Sequence, residues 1–144
     1  MDVSIRAESV INPTEDEAKV ERAMHNIFPS TRIERVQGAN GLFLLRIQSH
    51  DLETLSTLRN LIRQERIRSA ARSLLRARTR GERIHMFLNK QAAFAGHVSF
   101  CEPTGESPNG PISIEVESSE MEPVIDFLAS NPNEDYLPTA RRGR

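Results

Sequence analysis

The chain of 144 residues is poor in cysteine, lysine and large aromatic residues. Its one cysteine, Cys101, excludes an internal disulfide and is typical of a protein of the reducing cytoplasm, where we expect this chain to be located. No apolar run approaches the roughly 18 to 20 residues that cross a bilayer, which argues against a membrane protein. The N-terminus also lacks the basic and apolar regions of a secretory signal. The composition is that of a soluble protein with one compact domain.

The sequence patterns of common catalytic and metal sites are missing as well. The four histidines show no metal-ligand spacing, and His97 with Cys101 supplies two ligands where zinc normally has four. There is no glycine-rich dinucleotide motif, no phosphate-binding loop and no nucleophile elbow. We therefore expect no metal, no cofactor and no enzymatic activity.

Arginine is abundant, outnumbering lysine 17 to 2, and it is concentrated in one window. Between Arg59 and Arg83 nine arginines stand against two acids, a local net charge of +7. The whole chain sums to −1, so the remainder carries −8, from 10 basic and 18 acidic residues. Clustered arginine on a helix is typical of a polyanion-binding surface, and RNA or DNA is the commonest polyanion. The alternative is intramolecular, with the basic helix lying against the acidic remainder.

Alternation of apolar and polar residues predicts strands at 3–9, 32–36, 41–49, 83–88, 97–101 and 111–118, the second and third of them forming a hairpin. Helical periodicity predicts a first helix with Asn12 as its N-cap, Pro13 in its first turn and Glu15 completing a capping box. A short last helix is predicted at 121–128. This order of elements indicates an α+β fold with a mainly antiparallel sheet and helices on one face.

The stretch from Asp51 to Arg80 contains neither glycine nor proline, yet its apolar residues change face. Leucines such as Leu55 and Leu58 lie on one side, whereas Ala71 and Leu74 would lie nearly opposite on one straight helix. Such a helix would expose one of its two apolar stripes to water. We therefore predict a break between Arg63 and Ile67, with two helices packed on a common sheet.

Residues 1–130 are expected to form a single α+β domain. Residues 131–144 contain two prolines and end in Arg-Arg-Gly-Arg. This composition predicts a disordered basic tail.

The arginines of the two middle helices fall into stripes at helical spacing. They are Arg59, Arg63 and Arg66 on the first helix, and Arg68, Arg72, Arg76 and then Arg80 on the second. Guanidinium groups bind phosphate with two parallel hydrogen bonds, which suits contact with an RNA backbone. We expect the second stripe to face solvent, so that its replacement by glutamine weakens RNA binding without unfolding the protein. The alternative is a solvated face balanced by Glu115, Glu117 and Glu120.

Asn89, Lys90 and Gln91 stand just after a predicted strand. Their amide groups and compact positive charge could contact a nucleotide at the end of the sheet. They could instead cap the backbone of a following turn, which is the interpretation that their spacing favours. We keep both, and Lys90 is the best candidate for an RNA contact at this end of the sheet.

Three blocks of sequence resemble the motifs of an archaeal family of uncharacterised proteins, the family numbered two hundred and one and tagged as predicted RNA-binding. The blocks are Asn12-Pro13-Thr14-Glu15, the run from Ile84 to Phe100 with Asn89-Lys90-Gln91-Ala92-Ala93 at its centre, and Ser107-Pro108-Asn109-Gly110-Pro111-Ile112. Asn109 departs from the pattern, in which leucine precedes Gly-Pro-Ile. The resemblance extends to about Leu128 and implies a fold like that of ribosomal protein L-five.

These observations lead to the hypothesis of a non-enzymatic domain that binds RNA through the phosphate backbone. Weak sequence selectivity is expected, because the basic window is nearly bare of the aromatic residues that stack on unpaired bases. The competing hypothesis is a protein-interaction module or homodimer whose basic face docks on an acidic surface. An enzyme that uses Lys90 or His97 is the third and weakest.

Overall fold

Six strands form one antiparallel sheet in the computed structural model, which describes residues 2–103 and 110–131. They are β1 (Val3–Ile11), β2 (Glu34–Gln37), β3 (Phe43–Ser49), β4 (Thr79–Arg80), β5 (Arg83–Leu88) and β6 (Ile112–Ser118). Their order across the sheet is β2-β3-β1-β6-β5-β4, so the first strand of the chain is central. The predicted α+β class with an antiparallel sheet is confirmed.

The described helices are α1 (Glu17–Ile27), α2 (Ser56–Gln64), α3 (Arg68–Ala77), α4 (Lys90–Phe94) and α5 (Met121–Leu128). The apolar sides of α1, α2, α3 and α5 share one core with alternate strand residues such as Ile5, Ile47, Met86 and Ile114. Helices therefore cover one face of the sheet, as predicted. The short helix α4 packs mainly against α1 and starts where β5 ends.

The predicted break between the middle helices is present. The N–H of Ile67 donates to the carbonyl of Ile62 at 3.1 Å, and Arg66 adopts a φ of 57°. This left-handed geometry is the one with which glycine commonly ends a helix. In this conformation a β-carbon lies too close to the following carbonyl oxygen, which destabilises the backbone by about 1–2 kcal/mol. Arginine therefore occupies position 66 against its backbone preference.

We expect Arg66→Gly to raise the free energy of unfolding by about 1 kcal/mol, because glycine adopts this φ without a steric penalty. Urea denaturation measures the change. Arg66→Ala is the matched control, since it removes the guanidinium but keeps the β-carbon, and it should give no such gain. Equal stabilities of the glycine and alanine variants would show that Arg66 is not strained.

The predicted N-cap of the first helix is wrong. The carboxylate of Asp16 accepts the N–H of Ala18 at 3.0 Å, so Asp16 caps α1. Asn12 and Glu15 make one of the two bonds of the predicted capping box: the Asn12 N–H donates to the Glu15 carboxylate at 2.9 Å, whereas the Glu15 N–H donates to the backbone carbonyl of Asn12, also at 2.9 Å. These bonds close a turn that precedes the helix. The helix itself begins after Asp16, four positions beyond Asn12.

The predicted strand at 97–101 does not form. Phe100 pairs with Leu88 in a single antiparallel bridge. The carboxylate of Glu65 accepts the N–H of Val98 at 3.2 Å, so this group is not available to a strand ladder. The segment is held at the end of α2 by this bond. It is held at the end of β5 by the N–H of Asn89, which donates to the Ser99 carbonyl at 2.8 Å, and by the N–H of Cys101, which donates to the Phe87 carbonyl at 2.9 Å.

The face of the sheet that the helices leave open carries charges of both signs in opposite pairs. The pairs are Arg6–Glu115 at 3.3 Å, Arg46–Glu8 at 2.6 Å and Arg83–Glu117 at 3.4 Å. Each pair joins residues that stand directly opposite on neighbouring strands. This face therefore presents balanced charge rather than a basic surface.

Among the described residues, no helix has the length and apolar character needed to span a bilayer. Of the predicted disordered tail, residues 132–144 lie outside the described residues. The single domain at 1–130 and the disordered tail remain predictions.

Candidate nucleic-acid interface

The second arginine stripe lies against α5 instead of facing solvent, so the expectation of a solvent-facing stripe is wrong. Arg72 donates from Nη1 to Oδ1 of Asp126 at 2.6 Å and to the carbonyl of Ala129 at 3.0 Å. Its side chain is 15% exposed. Arg76 donates from Nη2 to Glu122 at 2.6 Å. Two acids four residues apart on α5 thus meet two arginines four residues apart on α3.

Two further arginines hold the same helix. Arg68 donates from Nη1 to the hydroxyl of Ser130 at 3.0 Å, just beyond α5. The guanidinium of Arg59 lies 4.5 Å from the ring centroid of Phe127, within the range of a cation–π contact. We call Arg59, Arg68, Arg72 and Arg76 the α5 clamp. Its acids come from α5, and the sequence-based proposal of Glu115, Glu117 and Glu120 as balancing acids is wrong.

The rest of the basic window is also largely engaged within the chain. Arg80 lies in β4, beyond the end of α3, and its Nη1 donates to the carbonyls of Ala77 and Thr79 at 2.8 and 3.0 Å. Arg78 pairs with Glu102 at 2.7 Å. The intramolecular alternative therefore explains much of the window, although not all of it.

The α2–α3 corner, residues 63–67, presents the remaining two arginines. Arg63 and Arg66 are exposed, and neither side chain forms an ion pair or hydrogen bond within residues 2–103 and 110–131. The one acid of the corner, Glu65, turns away: its Oε2 lies 3.2 Å from both Nδ1 of His97 and the N–H of Val98. The corner therefore offers two uncompensated guanidinium groups on a turn between two packed helices.

The sequence blocks that carry the family resemblance meet at one end of the sheet. Strands β1 and β5 both run antiparallel to β6, so they end where β6 begins. Asn12 follows β1, Asn89 follows β5, and Pro111 precedes β6. The hydroxyl of Ser9 donates to the Pro111 carbonyl at 3.5 Å. The start of the third block, residues 107–109, lies outside the described residues.

Lys90 is buried at this end of the sheet and joins two of the blocks. Its Nζ donates to the carbonyl of Val10 at 2.8 Å and to the carboxylate of Glu15 at 3.0 and 3.1 Å. The Lys90 side chain is 6% exposed. The prediction of Lys90 as an RNA contact is therefore wrong, because its charge faces an internal carboxylate. The capping interpretation is confirmed for Asn89, whose Oδ1 accepts the N–H of Ala92 at 2.9 Å.

The environment of the pair changes the proton affinity of both groups. Burial raises the pKa of Glu15, but hydrogen bonds from Asn12 and Lys90 outweigh burial and leave the pKa below that of an ordinary glutamate. Burial lowers the pKa of Lys90, and the Glu15 carboxylate opposes part of that change. The favourable partners of Glu15 indicate a charged, hydrogen-bonded pair.

A cavity of about 410 Å³ opens beside the buried pair, and we call it the sheet-end cavity. Its rim is formed by Thr14, Lys19, Gln91 and Phe94. Of these residues, sequence reasoning identified Gln91 alone as a candidate. The scarcity of lysine was a usable signal, because both lysines of the chain line this cavity. Within the described parts of the chain, no group of three or more histidine, cysteine, aspartate or glutamate residues is arranged to hold a metal ion.

Comparison with known proteins places the chain in a family. Residues 4–118 match a family model described as RNA binding. A UPF0201 protein of Metallosphaera sedula is 37% identical over 134 residues, which cover 93% of this chain and 87% of that protein. The chain belongs to the UPF0201 family. Another UPF0201 protein, of Pyrobaculum neutrophilum, is 36% identical over 143 residues, covering 99% of this chain and 94% of that protein.

The fold is shared with solved UPF0201 proteins. The crystal structure of the Methanococcus jannaschii UPF0201 protein matches with a TM-score of 0.73 and 28% identity, covering 91% of this chain and 94% of that chain. The family membership predicted from the three blocks is confirmed. The likeness to ribosomal protein L-five stays a prediction.

Proposed function

We propose that this UPF0201 protein binds RNA through the phosphate backbone, with the α2–α3 corner as its main contact. The family model described as RNA binding supports RNA as the class of ligand. The observation that carries the proposal is the pair of exposed guanidinium groups at Arg63 and Arg66, which have no side-chain partner among the described residues. Arginine suits this role because it forms bidentate hydrogen bonds with phosphate oxygens.

Local structure supports the same surface. Arg66 stands in a left-handed conformation where glycine would be less strained, so its guanidinium is kept at a conformational cost. Glu65, which would neutralise its neighbours, is held by Val98 and His97. The α5 clamp fixes α3, the helix that follows the corner. Because Arg72 and Arg76 form ion pairs with α5, the phosphate contacts expected for them from the sequence are not part of this proposal.

The proposal is for binding without catalysis, in the cytoplasm. The RNA itself is left open, because contacts to phosphate carry no direct information about base sequence. The competing hypothesis, docking of the same basic surface on an acidic protein or a second copy, predicts that the corner arginines have no effect on RNA affinity.

The test compares two variants that each remove two exposed arginines. The variant Arg63→Gln/Arg66→Gln removes both charges of the corner. The control, Arg22→Gln/Arg32→Gln, removes two exposed arginines outside the basic window. These two arginines also form no ion pair with a described residue. Each phosphate contact contributes roughly 0.7 kcal/mol at an exposed site, so we expect about a tenfold loss of affinity for the corner variant. Fluorescence anisotropy with a labelled RNA hairpin measures it.

The salt dependence gives a second readout of the same contacts. Loss of two phosphate contacts should make the slope of log affinity against log salt shallower by about 1.4 to 1.8. The control variant has the same net charge as the corner variant but loses no proposed phosphate contact, so it should keep the slope of the wild type. Equal affinities and slopes for the two variants would contradict the proposal and favour the protein-docking hypothesis.

A further inference from the structure

We propose that the sheet-end cavity receives one unpaired nucleotide of the bound RNA, with its base stacked on Phe94. This inference rests on the proposed function and extends it, because it adds a site that distinguishes unpaired from paired RNA. The cavity volume of about 410 Å³ lies within the range of roughly 300–1,000 Å³ that is usual for small-ligand sites.

The aromatic ring at the rim is the first argument. Phe94 is 38% exposed, and it is one of two large apolar side chains among the described residues with such exposure. Nζ of Lys19 lies over the ring at 5.9 Å from its centroid, at the limit of a cation–π contact. An exposed ring beside a cavity suits stacking by a base, which is sequence-tolerant because every base has a π-face.

The polar groups around the ring fit the rest of a nucleotide. Lys19 supplies a compact positive charge for the phosphate and forms no ion pair with a residue of the described ranges. Gln91 is exposed and offers both amide donors and a carbonyl acceptor, the groups that bind a base edge. Two carboxylates also line the cavity: Glu15 pairs with Lys90, and Asp16 accepts a backbone N–H at the start of α1. The rim therefore combines an aromatic ring, an amide and the ammonium group of Lys19, which are the groups that bind a base and a phosphate.

The ring stands on a fixed platform. Nδ2 of Asn26, on α1, donates to the carbonyls of Ala93 and Phe94 at 2.9 and 3.1 Å and so holds the last turn of α4. The buried bonds of Lys90 hold the first turn of the same helix. A platform that is ordered before binding reduces the entropy cost of capturing a nucleotide.

The segment that follows α4 contacts the proposed phosphate-binding surface. It includes His97 and Val98, whose Nδ1 and backbone N lie 3.2 Å from the carboxylate of Glu65 in the α2–α3 corner. Phe94 stands three positions before His97, so the ring is close in the chain to a segment that is held at the corner. The proposed occupant is therefore an RNA strand bound at the α2–α3 corner, rather than a free nucleotide.

The test separates unpaired from paired RNA with one ring substitution. Phe94→Leu keeps an apolar side chain but removes the π-face, and Phe94→Tyr restores the face. We expect Phe94→Leu to lower the affinity for a single-stranded RNA about tenfold and to leave the affinity for a blunt-ended duplex of the same sequence unchanged. Phe94→Tyr should bind both RNAs like the wild type. Equal effects of Phe94→Leu on the two RNAs, or no effect on either, would overturn the proposal.

Two further arms separate the sources of failure. If the corner variant Arg63→Gln/Arg66→Gln binds as the wild type while Phe94→Leu loses single-stranded RNA alone, the cavity proposal stands and the corner proposal fails. Nucleoside monophosphates are titrated into the isotope-labelled protein, with amide resonances of Gln91 and Phe94 as the readout. We expect weak binding at these positions. Binding of a monophosphate as tight as that of RNA would overturn RNA as the occupant and identify a free-nucleotide site.

Discussion

Lys90→Met is expected to lower the free energy of unfolding by about 3 kcal/mol or more. Methionine matches the lysine stem in length, but it leaves the Glu15 carboxylate, which is 10% exposed, without its cation and removes the hydrogen bond to the Val10 carbonyl. The second lysine gives the matched control. Lys19→Met changes the same residue type at the exposed rim, where a change within about 0.5 kcal/mol is expected.

A compensated variant shows whether the loss comes from the broken pair. In Lys90→Met/Glu15→Leu both charges are replaced by apolar groups, which should recover a large part of the stability lost in the single variant. Urea denaturation of the three variants and the wild type supplies the comparison. Similar midpoints for Lys90→Met and Lys19→Met would contradict a structural role for the buried pair.

Replacement of the three α3 arginines Arg68, Arg72 and Arg76 by glutamine should lower the free energy of unfolding by roughly 2 to 4 kcal/mol, most of it from Arg72. Arg72 is largely buried and donates to Asp126 of α5 and to the carbonyl of Ala129 just beyond it, whereas the pair Arg76–Glu122 is exposed and contributes less. The expectation from sequence, a folded variant that has lost only RNA contacts, is replaced by this one.

The control for this triple variant leaves α3 unchanged and removes one positive charge from α2. Arg63→Gln changes an exposed arginine of α2 that has no ion pair among the described residues, and its stability should stay within about 0.5 kcal/mol of the wild type. Thermal denaturation followed by circular dichroism reports both. A triple variant as stable as Arg63→Gln would show that the α5 clamp contributes little to the fold.

Local periodicity was sufficient for most of the fold. The apolar stripe of residues 51–80 changes face at 63–67, and the chain bends there because one straight helix would leave apolar residues in water. Alternation along β1 and β6 likewise predicts which side of the sheet is covered. The position of the first cap was harder to predict, because Asn12 and Asp16 are both residue types that cap helices well, and each makes a local bond to the backbone or side chain that follows it.

Ion pairs between residues that are far apart in the chain could not be predicted from local sequence patterns. The spacing of Arg72 and Arg76 shows that they share a helix face, but α5 and its acids come some fifty residues later in the chain. Lys90 likewise finds Glu15 across 75 residues of sequence. Charge clustering therefore overestimated the free basic surface. It did include Arg63 and Arg66, which remain after the internal partners are subtracted.

Mapping of RNA contacts on the wild-type protein shows whether RNA binds at the α2–α3 corner. In a titration of isotope-labelled protein with an RNA hairpin that carries a single-stranded end, we expect the largest amide shifts at residues 63–67, followed by those around Phe94. The amide resonances of Arg6, Glu115 and Glu117, whose charges are paired on the open face of the sheet, should not shift. The largest shifts on this open face of the sheet, with none at the α2–α3 corner, would contradict RNA binding at the corner.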